Sequence, residues 1–285
     1  MKRYRSIAAV AAALFATLPA HAVSAFKADV TGSGPAVILI PGLASSGEVW
    51  QGTVRHLCGP RQCHVLTLAG FAGQPAIEGE LLPQVERQLA DYIATNKLGK
   101  PLVIGHSLGG FVAMKLAASH PDLVSKLVIV DALPALGATQ VPGITADQLQ
   151  QMASATRERM LASDDTSYAA SQRRAVMTMA SKPEDVDRIA GWGQRSDRKA
   201  VAGAMYALMA EDLRNEVARI KAPTLVLGTW VAYKDYAPRG AIEQVYKAQY
   251  ARLPGVRVEM ADTARHFIMY DDPAWMYDRI DQFLK

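Results

Sequence analysis

The chain has 285 residues, of which 50% are hydrophobic and 20% charged. That balance excludes a disordered chain, and the length suits one large core carrying an insertion. Of the formal net charge of +4, three units sit on Lys2, Arg3 and Arg5, so the rest of the chain is close to neutral at +1 and lacks the basic excess of a nucleic-acid binder.

Residues 1–22 read as a secretory signal peptide. The three basic residues precede an apolar run from Ile7 to Leu18, too short to span a bilayer comfortably. Pro19 and the small-x-small sequence Ala20-His21-Ala22 follow, so cleavage is expected after Ala22, with Ala25 as a second position. The mature protein is expected in the periplasm or outside the cell. No later segment is long and apolar enough for stable membrane insertion.

Phe26 to Val30 is expected as an antiparallel edge strand. The runs Val37–Ile40, His64–Leu68, Leu102–Ile104, Leu127–Val130, Thr224–Leu227 and Val256–Met260 are predominantly apolar, the last interrupted by Arg257 and Glu259. Such runs, separated by helical stretches such as 80–96, predict a buried and mostly parallel sheet. Cys58 and Cys63 lie five apart around Gly59-Pro60, which in an exported chain predicts a disulfide across a tight turn. A zinc site using the flanking His56 and His64 lacks a convincing set of four ligands.

Residues 133–216 hold no strand-like run and are helical in pattern. They read as a helical cap inserted into a core made of 23–132 and 217–285. Met205 and Met209 share a helical face there, either as packing within the cap or as a deformable pocket wall. The last helix is expected to start at Asp272-Pro273, an N-cap followed by proline at the first helical position.

Gly105-His106-Ser107-Leu108-Gly109 fits G-x-S-x-G. It follows an apolar strand and opens a helix, which is the context that a nucleophile elbow requires. The glycines leave room for a strained turn that lifts the serine hydroxyl above the sheet. On these residues the chain resembles the α/β-hydrolase superfamily, in particular its cap-bearing serine esterases, over nearly the whole mature length. The resemblance implies an α/β fold with a mostly parallel central sheet flanked by helices. It also implies a triad in the order serine, acid, histidine. Ser107 is then the nucleophile and His266, after the last strand, the base. The acid is expected at Asp235, in the loop after the Thr224 strand, although the spacing from Gly228 is longer than usual. Asp131, at the end of the preceding strand, is the position that some relatives use instead. The backbone N–H groups of Leu43, in Pro41-Gly42-Leu43-Ala44, and of Leu108 are the expected oxyanion hole. His106 is set aside as base, because neighbouring strand residues point to opposite sides.

The implied activity is cleavage of a small-molecule carboxylic ester through an acyl-enzyme on Ser107, with no metal and no cofactor. A lactonase, amidase or peptidase on the same scaffold is the alternative. The sequence carries no signature of an oligomeric state.

Overall fold

The structure is a computed structural model that describes residues 24–139 and 143–285; the expected signal peptide in 1–22 lies outside the described residues. Seven strands form: β1 (Phe26–Thr31), β2 (Ala36–Ile40), β3 (Gln62–Leu68), β4 (Leu102–His106), β5 (Lys126–Val130), β6 (Thr224–Thr229) and β7 (Arg257–Ala261). They make one sheet in the order β1-β3-β2-β4-β5-β6-β7. β1 pairs antiparallel with β3 at the edge, and every other pairing is parallel.

The apolar runs are continuous because helices cover both faces of the sheet. Ile38 and Ile40 face a core shared with α2 (Leu81–Thr95) and α3 (Leu108–Ser119). Val37 and Leu39 face the opposite core, shared with α1 (Gln51–Leu57) and the last helix. Cys58 and Cys63, at the end of α1 and in β3, have Cα atoms 5.7 Å apart and sulfur atoms at bonding distance.

Between β5 and β6 the described residues form α4 (Ala146–Ala162), α5 (Asp165–Met179), α6 (Pro183–Gln194) and α7 (Arg198–Ala210). Their starts are fixed locally. Thr145 and Gln148 make a reciprocal capping box, and the carboxylates of Asp164 and Asp197 accept from the backbone N–H of Ser167 and Ala200. A cavity of about 580 Å³ opens between α2, α4 and α7. Its α7 wall is mostly small, with Ala200, Gly203, Ala204 and Ala207 beside Lys199 and Tyr206, and Met205 and Met209 do not line it. Met209 is buried within the packing.

The chain closes with α8 (Arg239–Gln249), α9 (Ile268–Asp271) and α10 (Pro273–Leu284). Asp272 caps α10 by accepting from the Trp275 N–H, and Pro273 opens the helix. Met276, Ile280 and Phe283 form its buried stripe. Among the described residues no helix is long and apolar enough to cross a membrane.

Candidate active site

The parallel strands bring their C-terminal ends to one edge of the sheet, where loops with unusual backbone angles converge. β4 ends at His106, and Ser107 then takes φ +52° and ψ −121° before α3 begins at Leu108. A serine in the left-handed region is strained, and the surroundings must hold it there. The Ser107 N–H donates to the Val130 carbonyl at 2.9 Å, and its own carbonyl accepts from Phe111 at 3.0 Å. The neighbouring glycines are obligatory. A Cβ at Gly105 would lie 2.3 Å from the Gly109 carbonyl oxygen, and one at Gly109 would lie 2.2 Å from that of Ile40.

The Pro41–Ser46 loop sits against this elbow. A Cβ at Gly42 would approach the His106 ring to 2.9 Å and the Ser107 Cβ to 3.2 Å. Ala44 turns the loop at φ +53°. The N–H groups of Leu43 and Leu108 find no acceptor among the described residues. For Leu108 the reason is plain: the first residue of a helix has no intrahelical partner for its N–H.

His266 lies between β7 and α9. Its Nδ1 is 2.5 Å from Oδ2 of Asp131. With the proton on Nδ1 donated to the carboxylate, Nε2 carries the free lone pair. The structure thus corrects the expected acid: the carboxylate beside His266 belongs to Asp131 and not to Asp235. The cause is local geometry. After β6 the chain makes a short 3-10 turn at Val231–Tyr233, pinned by the Trp230 indole donating to Asp262 at 3.1 Å, and Asp235 emerges in solvent. Asp131 instead turns sharply at the end of β5, with φ +49° and its N–H bonded to the Leu227 carbonyl at 2.8 Å. Its side chain is only 10% exposed. Oδ1 accepts from the Thr229 N–H at 3.1 Å and from the hydroxyl of Tyr246 on α8. Burial, and then the Asp131 charge, push the Tyr246 phenol well above its usual range, so it remains a proton donor.

His106 is fully buried behind His266. The ring centroids are 4.6 Å apart, and His106 Nε2–H donates to the His266 carbonyl at 3.1 Å. Burial first, and the neighbouring His266 second, hold the His106 imidazole well below its ordinary range. It therefore supports the loop as a neutral ring.

The helical insertion also grips this loop. The Asp271 carboxylate accepts from Ser181 N–H and Oγ at 2.9 Å each, and from the Arg265 N–H at 2.8 Å. Arg265 donates to the Met177 carbonyl at 2.9 Å, and the Phe267 N–H to that of Met179 at 3.1 Å. Sequence reasoning missed Thr229, Tyr246, His106 and Asp271 as parts of the site. Tyr246 and Tyr250 do share a helical face, but that spacing also describes ordinary core packing. Among the described residues no group of three or more His, Cys, Asp or Glu side chains is placed to hold a metal.

The chain's relatives agree with this architecture. It is 28% identical over 262 residues to a pimeloyl-[acyl-carrier protein] methyl ester esterase of Aeromonas hydrophila, covering 89% of this chain and 96% of that protein. It is 27% identical over 206 residues to the protein of the same description from Nitrosomonas europaea, covering 70% and 78%. Among solved structures, a thermophilic esterase from Thermogutta terrifontis superposes with a TM-score of 0.74 at 19% identity, covering 91% of this chain and 92% of that one. An enol-lactonase from Burkholderia xenovorans gives a TM-score of 0.70, also at 19% identity, over 91% and 96%. The profile of the alpha/beta hydrolase family matches residues 37–279, and the chain belongs to that family.

Proposed function

We propose that the protein hydrolyses a small-molecule carboxylic ester through an acyl-enzyme on Ser107, with His266 as the base and Asp131 as the acid of the triad. The observation that carries this reading is the Asp131–His266 hydrogen bond, set beside a serine held at φ +52° on the elbow. His266 Nε2 takes the hydroxyl proton as Ser107 Oγ attacks the ester carbonyl. Negative charge collects on the carbonyl oxygen, where the free N–H groups of Leu43 and Leu108 receive it; each such donor lowers the barrier by about 3 kcal/mol. The imidazolium then protonates the leaving alcohol. Water, activated by the same ring, releases the acid and restores the serine. Every proton in the cycle moves between groups of this chain, the substrate and water.

The relatives' descriptions favour an ester with a small alcohol, since they are named for methyl esters. In this reading the insertion roofs the site as a cap over the acyl portion. We also infer export through the 1–22 leader and a Cys58–Cys63 disulfide in the mature protein, supported by the bonding distance between the sulfurs. The disulfide is checked by non-reducing peptide mapping of protein recovered from an oxidising compartment, where two freely alkylatable thiols would refute it.

The test of the activity is a panel of methyl, ethyl and p-nitrophenyl esters of increasing acyl length, with lactones and anilides alongside. The wild type should turn over the short esters fastest and be labelled by a fluorophosphonate. Folded Ser107→Ala should lose both properties, with kcat down by about six orders of magnitude. A folded S107A enzyme with most of its activity, or a wild type that cleaves only anilides, would refute the proposal.

A further inference from the structure

Asp131 is held by more than the histidine it faces. One carboxylate oxygen meets His266, and the other is shared by the Thr229 N–H and the Tyr246 hydroxyl. Tyr246 reaches this point from α8, a helix that belongs to no part of the triad, and it is 7% exposed. Four residues on, at the C-cap of α8, Tyr250 is also buried, but its hydroxyl donates elsewhere, to the Ala132 carbonyl at 2.8 Å. The space for Tyr246 is shaped around it. A Cβ at Gly228, in β6, would lie 2.8 Å from the Tyr246 ring, so the glycine lets the phenol lie flat against the strand end.

We propose that Tyr246 is a positioning residue whose hydroxyl fixes the Asp131 carboxylate and tempers the pull of that carboxylate on the His266 ring. The inference rests on the reading of Asp131 and His266 as triad members. The physical reason is charge sharing. A hydroxyl donating to a carboxylate stabilises the ionised form and drains negative charge from it. A drained carboxylate holds an imidazolium less strongly. Loss of the Tyr246 hydroxyl should therefore strengthen that hold, which a pH profile reads. The Thr229 N–H alone supplies one donor to Oδ1; Tyr246 supplies the second and also blocks rotation of the carboxylate.

The charged and titratable groups packed around the pair come from several elements. His106 approaches from β4, neutral and bonded to the His266 carbonyl. Tyr233 approaches from the loop after β6, where burial and then the Asp131 charge raise its phenol. Tyr246 approaches from α8 and Tyr250 from its C-cap, both raised by burial first and Asp131 second. Of these, Tyr246 is the one with a hydrogen bond to the carboxylate.

The experiment compares Tyr246→Phe with Tyr250→Phe, each in the full mature chain. Both remove one buried hydroxyl from the C-terminal end of α8, one in its last turn and one at its C-cap, so a merely structural effect strikes them alike. For Y246F the acid limb of the kcat/KM profile should move upward by roughly half a pH unit, and kcat at neutral pH should fall about tenfold. Y250F should leave the acid limb in place. A second readout needs no turnover: the low-field proton resonance of the imidazole N–H bonded to Asp131 should shift in Y246F and hold in Y250F. If the wild type shows this resonance and no esterase activity, the functional reading fails while the positioning role stands. Should Y246F fail to fold, site-specific 3-fluorotyrosine at position 246, a stronger donor of nearly the same shape, should move the acid limb downward. An unmoved acid limb and an unmoved resonance in a folded variant overturn the proposal, and so does an equal response of Y250F.

Discussion

Two strand ends in this protein carry an aspartate within reach of the sheet edge, and they have opposite fates. Asp131 follows β5 after a single positive-φ step, stays nearly buried and receives three hydrogen bonds, from Thr229, Tyr246 and His266. Asp235 follows β6 after a short turn that carries it into solvent. Both satisfy the chain order of serine, acid and histidine, so order cannot separate them. Depth does. A carboxylate that must orient an imidazole and stabilise its cation needs low solvent exposure and fixed donors, and the β5 end supplies both.

The largest effect expected from this contrast is on turnover. Asp131→Asn keeps the shape but offers an amide where the Nδ1 proton needs an acceptor, and the analogous change in a serine protease costs about four orders of magnitude in kcat. Asp235→Asn should stay within about twofold of wild type, as an exposed substitution. Both variants are to be purified, checked by circular dichroism and assayed on one short ester. An inactive D235N beside a near-normal D131N would reverse the assignment.

The contrast also explains what was legible in the sequence. The apolar runs from Val37 to Met260 located the strands because a doubly covered sheet demands continuous hydrophobicity, a one-dimensional signal. The elbow was legible because G-x-S-x-G, the apolar run before it and the helical stretch after it lie in consecutive residues, although the clash that keeps Gly109 a glycine comes from the distant Ile40. The choice between Asp235 and Asp131 was not, because which carboxylate lies beside His266 depends on how far residues 229–236 turn away and on a hydroxyl arriving from α8. Those are three-dimensional facts with no local trace. The same holds for the insertion. Its helical character was legible, but Met205 and Met209 drew attention by their shared helical face, whereas the α7 residues that line the cavity are mostly alanine and glycine, with Lys199 and Tyr206 among them.

A third aspartate sharpens the comparison at intermediate depth. Asp271 is half-buried and touches no reacting group, yet it ties Ser181 of the insertion to Arg265, next to His266. Asp271→Ala should remove three accepted hydrogen bonds at a cost of about 1–3 kcal/mol in stability. It should also loosen the histidine loop, lowering kcat several-fold with little change in KM. Ser181→Ala removes only one of those bonds and should show a smaller loss. Urea unfolding and steady-state kinetics on the two variants check this. Full kcat and full stability in D271A would mean that the insertion and the histidine loop are set independently.

The smallest effect concerns His106, the most deeply buried polar group at the same strand ends, and it is read in stability against pH. In the fold, burial holds this ring neutral well below the ordinary histidine range. In the unfolded chain it titrates near 6.5, the unperturbed value. Above that pH both states are neutral, and the group adds no pH dependence. Below it the unfolded chain takes up a proton that the fold refuses, so stability falls as pH falls, by at most about 1.4 kcal/mol per pH unit. The loss levels off only once the folded ring itself is protonated. His106→Gln removes the titration, so its unfolding free energy should be flatter than that of the wild type between pH 6.5 and 5.5, whatever its absolute stability. His64, also lowered by burial, contributes equally to both proteins and cancels in the difference. Parallel slopes for the two proteins would mean that the ring accepts a proton inside the fold. Its support of the His266 carbonyl would then depend on charge rather than on a neutral hydrogen bond.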